Sequence, residues 1–304
     1  MTESNRSVAL ITGAANGIGL ETAKRLSVTH RIALLDLDAA ALPAAAAQCG
    51  ADAIQHACDI TSQEQVDAAV AFVVAETGRI DVVISNAGIG MGGSLRSISP
   101  DALAATLNVN LIGSWRAIHA CLPQIIERRG YVLGVASAAA IAPSLGLGPY
   151  SASKAGYEIL LDVLRMEVKH LGVAVGCAYF LWIDTDMVRG ADRDIPSFER
   201  MRASQPALLR KTHPVGDAAD AIVAGVLHRK RAVFAPGWLR FLSPLRMLLR
   251  TRLGERDSLK LAPQLDRDTL ERVDQLGALG GAMRDTPAMH AAVASTDHER
   301  EHDI

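Results

Sequence analysis

This chain lacks a charge imbalance, paired cysteines and an unbroken apolar span, and each lack removes a class of protein. Its formal net charge is -2, so nothing global draws it to nucleic acid or to an anionic surface. The four cysteines, Cys49, Cys58, Cys121 and Cys177, show neither a C-x-x-C pair nor metal-ligand spacing. No metal site is expected from them, and they read as thiols of a reducing compartment. The opening residues Met1 to Ser7 are polar, without an apolar signal segment, which points to the cytoplasm. Residues 130–153 carry no charge and are long enough to cross a bilayer. Gly134, Pro143, Gly146, Gly148 and Pro149 interrupt them, which suits a strand and a loop better than a membrane helix. There is no internal repeat.

What is present is a large apolar fraction. Of 304 residues, 49% are hydrophobic and 21% charged, enough for a sizeable core in one domain. Apolar runs at 8–12, 31–36, 53–58, 81–85, 131–136, 173–179 and 232–235 read as strands. Helical patterns lie between them, near 17–29, 39–48, 62–77, 101–128, 150–170 and 217–229. That alternation predicts an α/β fold, a parallel sheet covered on both faces. Thr61 and Glu64 have capping-box spacing for the helix after Asp59. Ser99-Pro100 reads as a cap followed by a first-turn proline. Residues 181–215 show no clear strand.

Tyr150 and Lys154 stand four apart, one helical turn on one face. Their ordinary pKa values, near ~10 and ~10.4, make neither useful alone at neutral pH. A fixed cation beside a phenol favours the phenolate, so the tyrosine pKa is expected to fall toward the range that proton exchange with an alcohol or carbonyl oxygen needs. Ser137 ends the apolar run 131–136. Val8 to Gly19 reads as a buried strand, a glycine-rich turn and a helix start, and Asn86-Ala87-Gly88 follows the strand 81–85.

In this order, Thr12-Gly13-x-x-x-Gly17-x-Gly19, Asn86-Ala87-Gly88, Asn110, Ser137 and Tyr150-x-x-x-Lys154 resemble the short-chain dehydrogenase/reductase family, over about residues 6–237. The resemblance implies a doubly wound parallel sheet of Rossmann type in three α/β/α layers, as one catalytic domain over 1–237. It places a mobile substrate-binding segment near 181–215. Residues 238–285 read as a C-terminal helical extension, and 286–304 as a polar tail expected to be disordered.

For the cofactor, glycines in such a turn permit a tight bend, close approach of a pyrophosphate and close helix–strand packing. The helix start after Asn16, at Gly17, Ile18 and Gly19, presents free N–H groups and a positive dipole end to phosphates. Asp36 ends the second strand, where a carboxylate accepts the ribose hydroxyls of NAD and repels the extra phosphate of NADP. No arginine occupies Ala14, Ala15 or Leu37, so NAD is expected over NADP. Asp38 is a rival for the ribose role, and Asp36 could serve only its turn. Asp59, followed by Ile60, resembles the family's adenine-edge contact, with an ordinary helix N-cap as the equal alternative. Asn86, Ala87 and Gly88 would close the adenine-ribose side.

For catalysis, the resemblance assigns Ser137 to the substrate oxygen and Tyr150 to proton transfer. Lys154 would tune the tyrosine and hold the nicotinamide ribose. Asn110 would bend its helix and anchor a water leading to Lys154. Ser137 could instead bond its own backbone, and Asn108 is a near twin of Asn110. The family's Pro-Gly after the sixth strand is replaced by Phe180-Leu181, while Ile183 and Thr185 match its carboxamide contacts.

Ala138, Ala139, Leu145, Tyr179, Trp182 and Met187 would border the substrate. Most are apolar, and no Arg or Lys stands beside Ser137 or Tyr150, which favours a hydrophobic secondary alcohol or ketone. The same residues could simply be core. Residues 238–252 mix apolar side chains with four arginines. They could cover the substrate mouth, pack on a second subunit, present a solvated face or, less favoured, lie on a membrane surface. Relatives commonly pair the helices near 101–128 and 150–170, implying a homodimer or homotetramer. An NAD-dependent alcohol dehydrogenase or ketoreductase is the leading reading. Epimerase or dehydratase chemistry and a non-catalytic NAD(H)-binding regulator are the rivals.

Overall fold

The computed structural model describes residues 6–142, 144–194, 196–249 and 251–276. The expected tail 286–304, and 277–285 of the expected extension, lie outside them. The chain runs β1 (Val8–Thr12), α1 (Gly17–Leu26), β2 (Arg31–Asp36), α2 (Leu42–Ala47), β3 (Ile54–Ala57), α3 (Gln63–Thr77) and β4 (Val82–Ser85). Next come α4 (Pro100–Leu107), a π-helical turn (Asn108–Gly113), α5 (Ser114–Glu127), β5 (Tyr131–Val135), α6 (Ala138–Ile141), α7 (Gly148–Val168) and β6 (Ala174–Phe180). Then follow α8 (Asp186–Asp194), α9 (Pro196–Ser204), α10 (Ala207–Arg210), α11 (Val215–Leu227) and β7 (Ala232–Ala235). Two 3-10 turns (Gly237–Phe241 and Ser243–Leu245), α12 (Arg246–Leu249) and α13 (Arg252–Leu276) complete it.

The seven strands form one parallel sheet in the order β3-β2-β1-β4-β5-β6-β7. Side chains alternate between faces of a strand, and β1 shows the consequence. Val8 and Leu10 enter a core with α3, α4, α5 and α7. Ala9 and Ile11 enter the opposite core with α1, α2 and α11. Burial on both faces explains why β1, β4 and β5 read as continuous apolar runs. The order reverses between β1 and β4, so their carboxyl ends open the crevice where such sheets bind ligands.

Local chemistry sets several boundaries. Ser99 caps α4 by accepting from the Ala102 N–H at 3.1 Å. At α3 the cap is Ser62, which accepts from the Gln65 N–H at 3.3 Å, and not Thr61 as the capping-box spacing predicted. Thr61 is turned the other way, its hydroxyl donating to Asp59 Oδ1 at 2.7 Å. Residues 181–215 are largely helical, forming α8, α9 and α10. Their apolar residues were too scattered for the periodicity to show. Among the described residues, no helix is long and apolar enough to cross a membrane.

Candidate active site

The turn after β1 is shaped by two glycines with positive φ, Gly13 at 63° and Gly17 at 55°. A Cβ on Gly19 would lie 2.0 Å from the Gly13 carbonyl oxygen, so α1 meets the turn at a distance only glycine permits. Asn16 caps α1 without a side-chain hydrogen bond to it, and Ile18 packs beneath the helix. A Cβ on Gly17 would meet only Thr185 Cγ2, at 3.7 Å. Thr185 therefore stands within van der Waals reach of a side chain placed on the turn, and its hydroxyl donates to the Ile183 carbonyl at 3.3 Å. Ile183 is buried and bridges to His213.

Asn86 braces this turn. Its Nδ2 donates to the carbonyls of Thr12 and Gly13 at 3.1 and 3.0 Å. The Thr12 hydroxyl accepts from the N–H groups of Asn86 and Ala87 at 3.0 and 3.1 Å. Asp36 ends β2 with one carboxylate oxygen on the Ala15 N–H at 2.9 Å and the other on the Asp38 N–H at 3.0 Å. Asp38, its rival, accepts from Ala40 and Ala41 within its own turn, at 3.1 and 3.0 Å. Asp59 accepts from the N–H and hydroxyl of Thr61, so it does not cap α3. Ile60 is buried beside Gly113, where a Cβ would approach to 2.9 Å. These residues fit a dinucleotide: the glycine cradle, the uncapped helix start and a carboxylate at the tip of β2 share one crevice.

Asn110 lies in the π-helical turn, the local distortion expected of it. It is fully buried, accepts from the Ile89 N–H and donates to the Ile89 carbonyl, both at 2.8 Å, and reaches Ser153 Oγ at 3.1 Å. Asn108 instead pairs with Arg116, which separates the twins. Ser153, which the sequence reading missed, links Asn110 to the Tyr150 carbonyl at 2.8 Å. A Cβ on Gly88 would come 3.0 Å from Asn110 Oδ1 and 3.4 Å from Lys154 Nζ, so glycine there leaves room for both.

The structure brings Ser137, Tyr150 and Lys154 together. Tyr150 and Ser137 line the same cavity, close enough for the Ser137 hydroxyl to act on the phenol, and Ser137 accepts from the Ala139 N–H at 3.1 Å. Lys154 is buried, donates to the Val135 carbonyl at 2.8 Å, and lies 5.8 and 5.9 Å from the ring centroids of Tyr150 and Tyr157. Burial pushes its pKa down to about 8. The expected fall of the Tyr150 pKa is not what the folded chain shows. Burial raises it, and the neighbouring Ser137 hydroxyl opposes that only in part.

A cavity of about 310 Å³ opens beside Ser137 and Tyr150. Ala138, Ala139, Leu145, Trp182 and Met187 line it, as expected. Tyr179 does not. Its ring stacks on Phe234 with centroids 5.1 Å apart, and its hydroxyl donates to Glu158 at 2.7 Å. Phe180 and Leu181 both face the cavity, so the replacement of Pro-Gly builds apolar wall. No charged side chain lines the cavity among the described residues. The arginines of 238–252 are not simply a solvated face: Arg246 pairs with the buried Glu158 at 2.7 Å.

Comparison with known proteins agrees with this geometry. The short chain dehydrogenase family matches residues 7–196. The chain belongs to that family of oxidoreductases. Its relatives include the probable oxidoreductase EphD of Mycobacterium tuberculosis, 33% identical over 233 residues, which are 72% of this chain and 39% of EphD. The chain thus spans about two fifths of that relative's length. A 3-ketoacyl-(acyl-carrier-protein) reductase of Brucella melitensis, solved with NADH, superposes with TM-score 0.68 at 25% identity, covering 75% of this chain and 96% of its own. A short-chain dehydrogenase/reductase of Burkholderia phymatum, solved with NAD, shares the fold with TM-score 0.68 at 22% identity, covering 85% of this chain and 97% of its own.

Proposed function

We propose that the protein is an NAD-dependent oxidoreductase that interconverts a hydrophobic secondary alcohol and its ketone, with Tyr150 as general acid/base. The observation that carries the reading is the pairing of Ser137 and Tyr150 at one side of a cavity without charged lining residues. Such a site orients one oxygen and solvates no second anionic group, which disfavours phosphorylated or multiply carboxylated substrates.

The cradle of Gly13, Gly17 and Gly19, with Asp36, would hold the dinucleotide. Ile183 and Thr185 would border its carboxamide, and Lys154 its ribose. When bound, it exchanges a hydride with the substrate carbon. The chain does the rest. Ser137 donates to the substrate oxygen and fixes it against Tyr150. During reduction, negative charge develops on that oxygen, and Tyr150 transfers its proton there. The raised pKa keeps Tyr150 protonated for that step. The Lys154 ammonium then stabilises the phenolate left behind. Asp36 favours NAD over NADP, because a second phosphate on the ribose would meet its carboxylate.

The test uses NADH oxidation, followed by absorbance, with a panel of hydrophobic ketones. Tyr150→Phe should retain NADH binding and lose about 10²–10⁴-fold in turnover. A Phe variant with near-native turnover would mean that another group moves the proton.

A further inference from the structure

The C-terminal segment forms one wall of the cavity, and an ion pair ties it to the helix that carries the catalytic side chains. Leu239, Leu242 and Leu249 line the cavity and bracket Arg246 in the chain. Between them, Phe241, Leu245, Met247 and Leu248 are exposed, so these four side chains give the stretch little inward contact. Arg246 supplies a directed one. Its Nη2 donates to Glu158 Oε1 at 2.7 Å and its Nη1 to Oε2 at 3.2 Å, a fork on both carboxylate oxygens.

The receiving carboxylate is fixed from several sides. Glu158 is 2% exposed and lies one turn beyond Lys154 on α7. The Tyr179 hydroxyl donates to the same Oε1, and the Tyr179 ring stacks on Phe234 of β7. A carboxylate buried this deeply requires a cation, and Arg246 reaches it from a segment 88 residues further along the chain. The apolar wall and the catalytic helix therefore share one bidentate contact.

We infer that Arg246 is a positioning residue: its ion pair with Glu158 holds residues 239–249 as the C-terminal wall of the substrate cavity and thereby sets which apolar molecules the site accepts. The word substrate rests on the oxidoreductase reading. The wall itself is testable without cofactor.

Nile red, an uncharged apolar dye, is titrated into the intact chain and into Arg246→Lys, Arg246→Met and the double variant Glu158→Gln/Arg246→Met, with chymotryptic cleavage at 238–249 as a second readout. Arg246→Met should weaken dye binding at least about fivefold and speed cleavage, while Arg246→Lys, which keeps the charge but not the fork, recovers part of both. The double variant leaves no buried charge unpaired, so it separates wall loss from misfolding. It should titrate NADH like the wild type yet bind dye as weakly as Arg246→Met. With a bulky apolar ketone, KM should rise more than kcat falls. Dye affinity within about twofold of wild type in the double variant would overturn the inference. So would unchanged cleavage, or a wild-type protein that takes up no dye. Failure of the wild type to bind NADH would sink the oxidoreductase reading and leave the dye result standing.

Discussion

Gly17→Ala separates the cost of a strained backbone from the loss of a ligand-binding surface. Gly17 sits at φ 55°, and a Cβ there would touch only Thr185 Cγ2 at 3.7 Å. The protein should therefore fold. A left-handed conformation costs an L-residue ~1–2 kcal/mol. In a chain of this size that lowers Tm by about 2–8 °C. The added methyl, however, would stand between the turn and Thr185, beside the crevice at the carboxyl ends of β1 and β4 where the pyrophosphate would approach. Displacing even one hydrogen bond to a charged group costs ~1.5–3 kcal/mol. NADH affinity should fall at least about tenfold. Gly19→Ala makes the contrast, since its Cβ would meet the Gly13 oxygen at 2.0 Å and Asn86 Nδ2 at 2.8 Å, forcing α1 off the turn and damaging stability and binding together. Fluorescence titration with NADH and thermal melts on both variants read the two effects. An NADH Kd for Gly17→Ala within about threefold of wild type would show that the pyrophosphate does not lie in this cradle.

Three further outcomes are expected. Asp36→Ala should narrow the gap between NADH and NADPH binding, and equal binding of the two by the wild type would remove the basis for NAD preference. Burial holds the Lys154 pKa near about 8, below the ordinary lysine value of ~10.4. The unfolded chain then binds this proton more tightly, so the group opposes folding below about pH 8 and ceases to as pH rises from there. If the ammonium donates to the ribose as proposed, NADH affinity should weaken from pH 7 to 9 in the wild type and stay flat in Lys154→Gln. A flat wild-type profile would argue against the ribose role. On α7, Ile159 and Met166 are 56% and 65% exposed, with Leu160 and Val163 also exposed between them. A homo-oligomer formed through this face should dissociate on Met166→Asp, read as mass by light scattering, and a monomeric wild type would refute it.

The strands of this fold were legible because burial on both faces leaves apolar runs that need no long-range information, as in Val8–Thr12 and Tyr131–Val135. The glycine turn and the Tyr150–Lys154 pair were legible for a related reason: their geometry is set by positions a few residues apart. Interactions across the chain were not legible. Nothing near Glu158 in the sequence announces Arg246. Tyr179 and Phe180 are neighbours on β6, yet alternation sends Tyr179 to Glu158 and Phe180 to the cavity. The choice of Ser62 over Thr61 as the α3 cap turns on which hydroxyl Asp59 engages. The direction of the Tyr150 pKa depended on burial depth, which spacing to Lys154 does not reveal.

The four cysteines carry a practical consequence. All are free and buried, and burial raises each thiol pKa, to about 12 at Cys58, Cys121 and Cys177. At neutral pH they present almost no thiolate to an alkylating reagent. A cysteine introduced at the exposed Leu248 would then be the reactive thiol of the folded chain. A fluorophore attached there would report whether the C-terminal wall stays seated or moves, against a background that stays silent for as long as the protein stays folded.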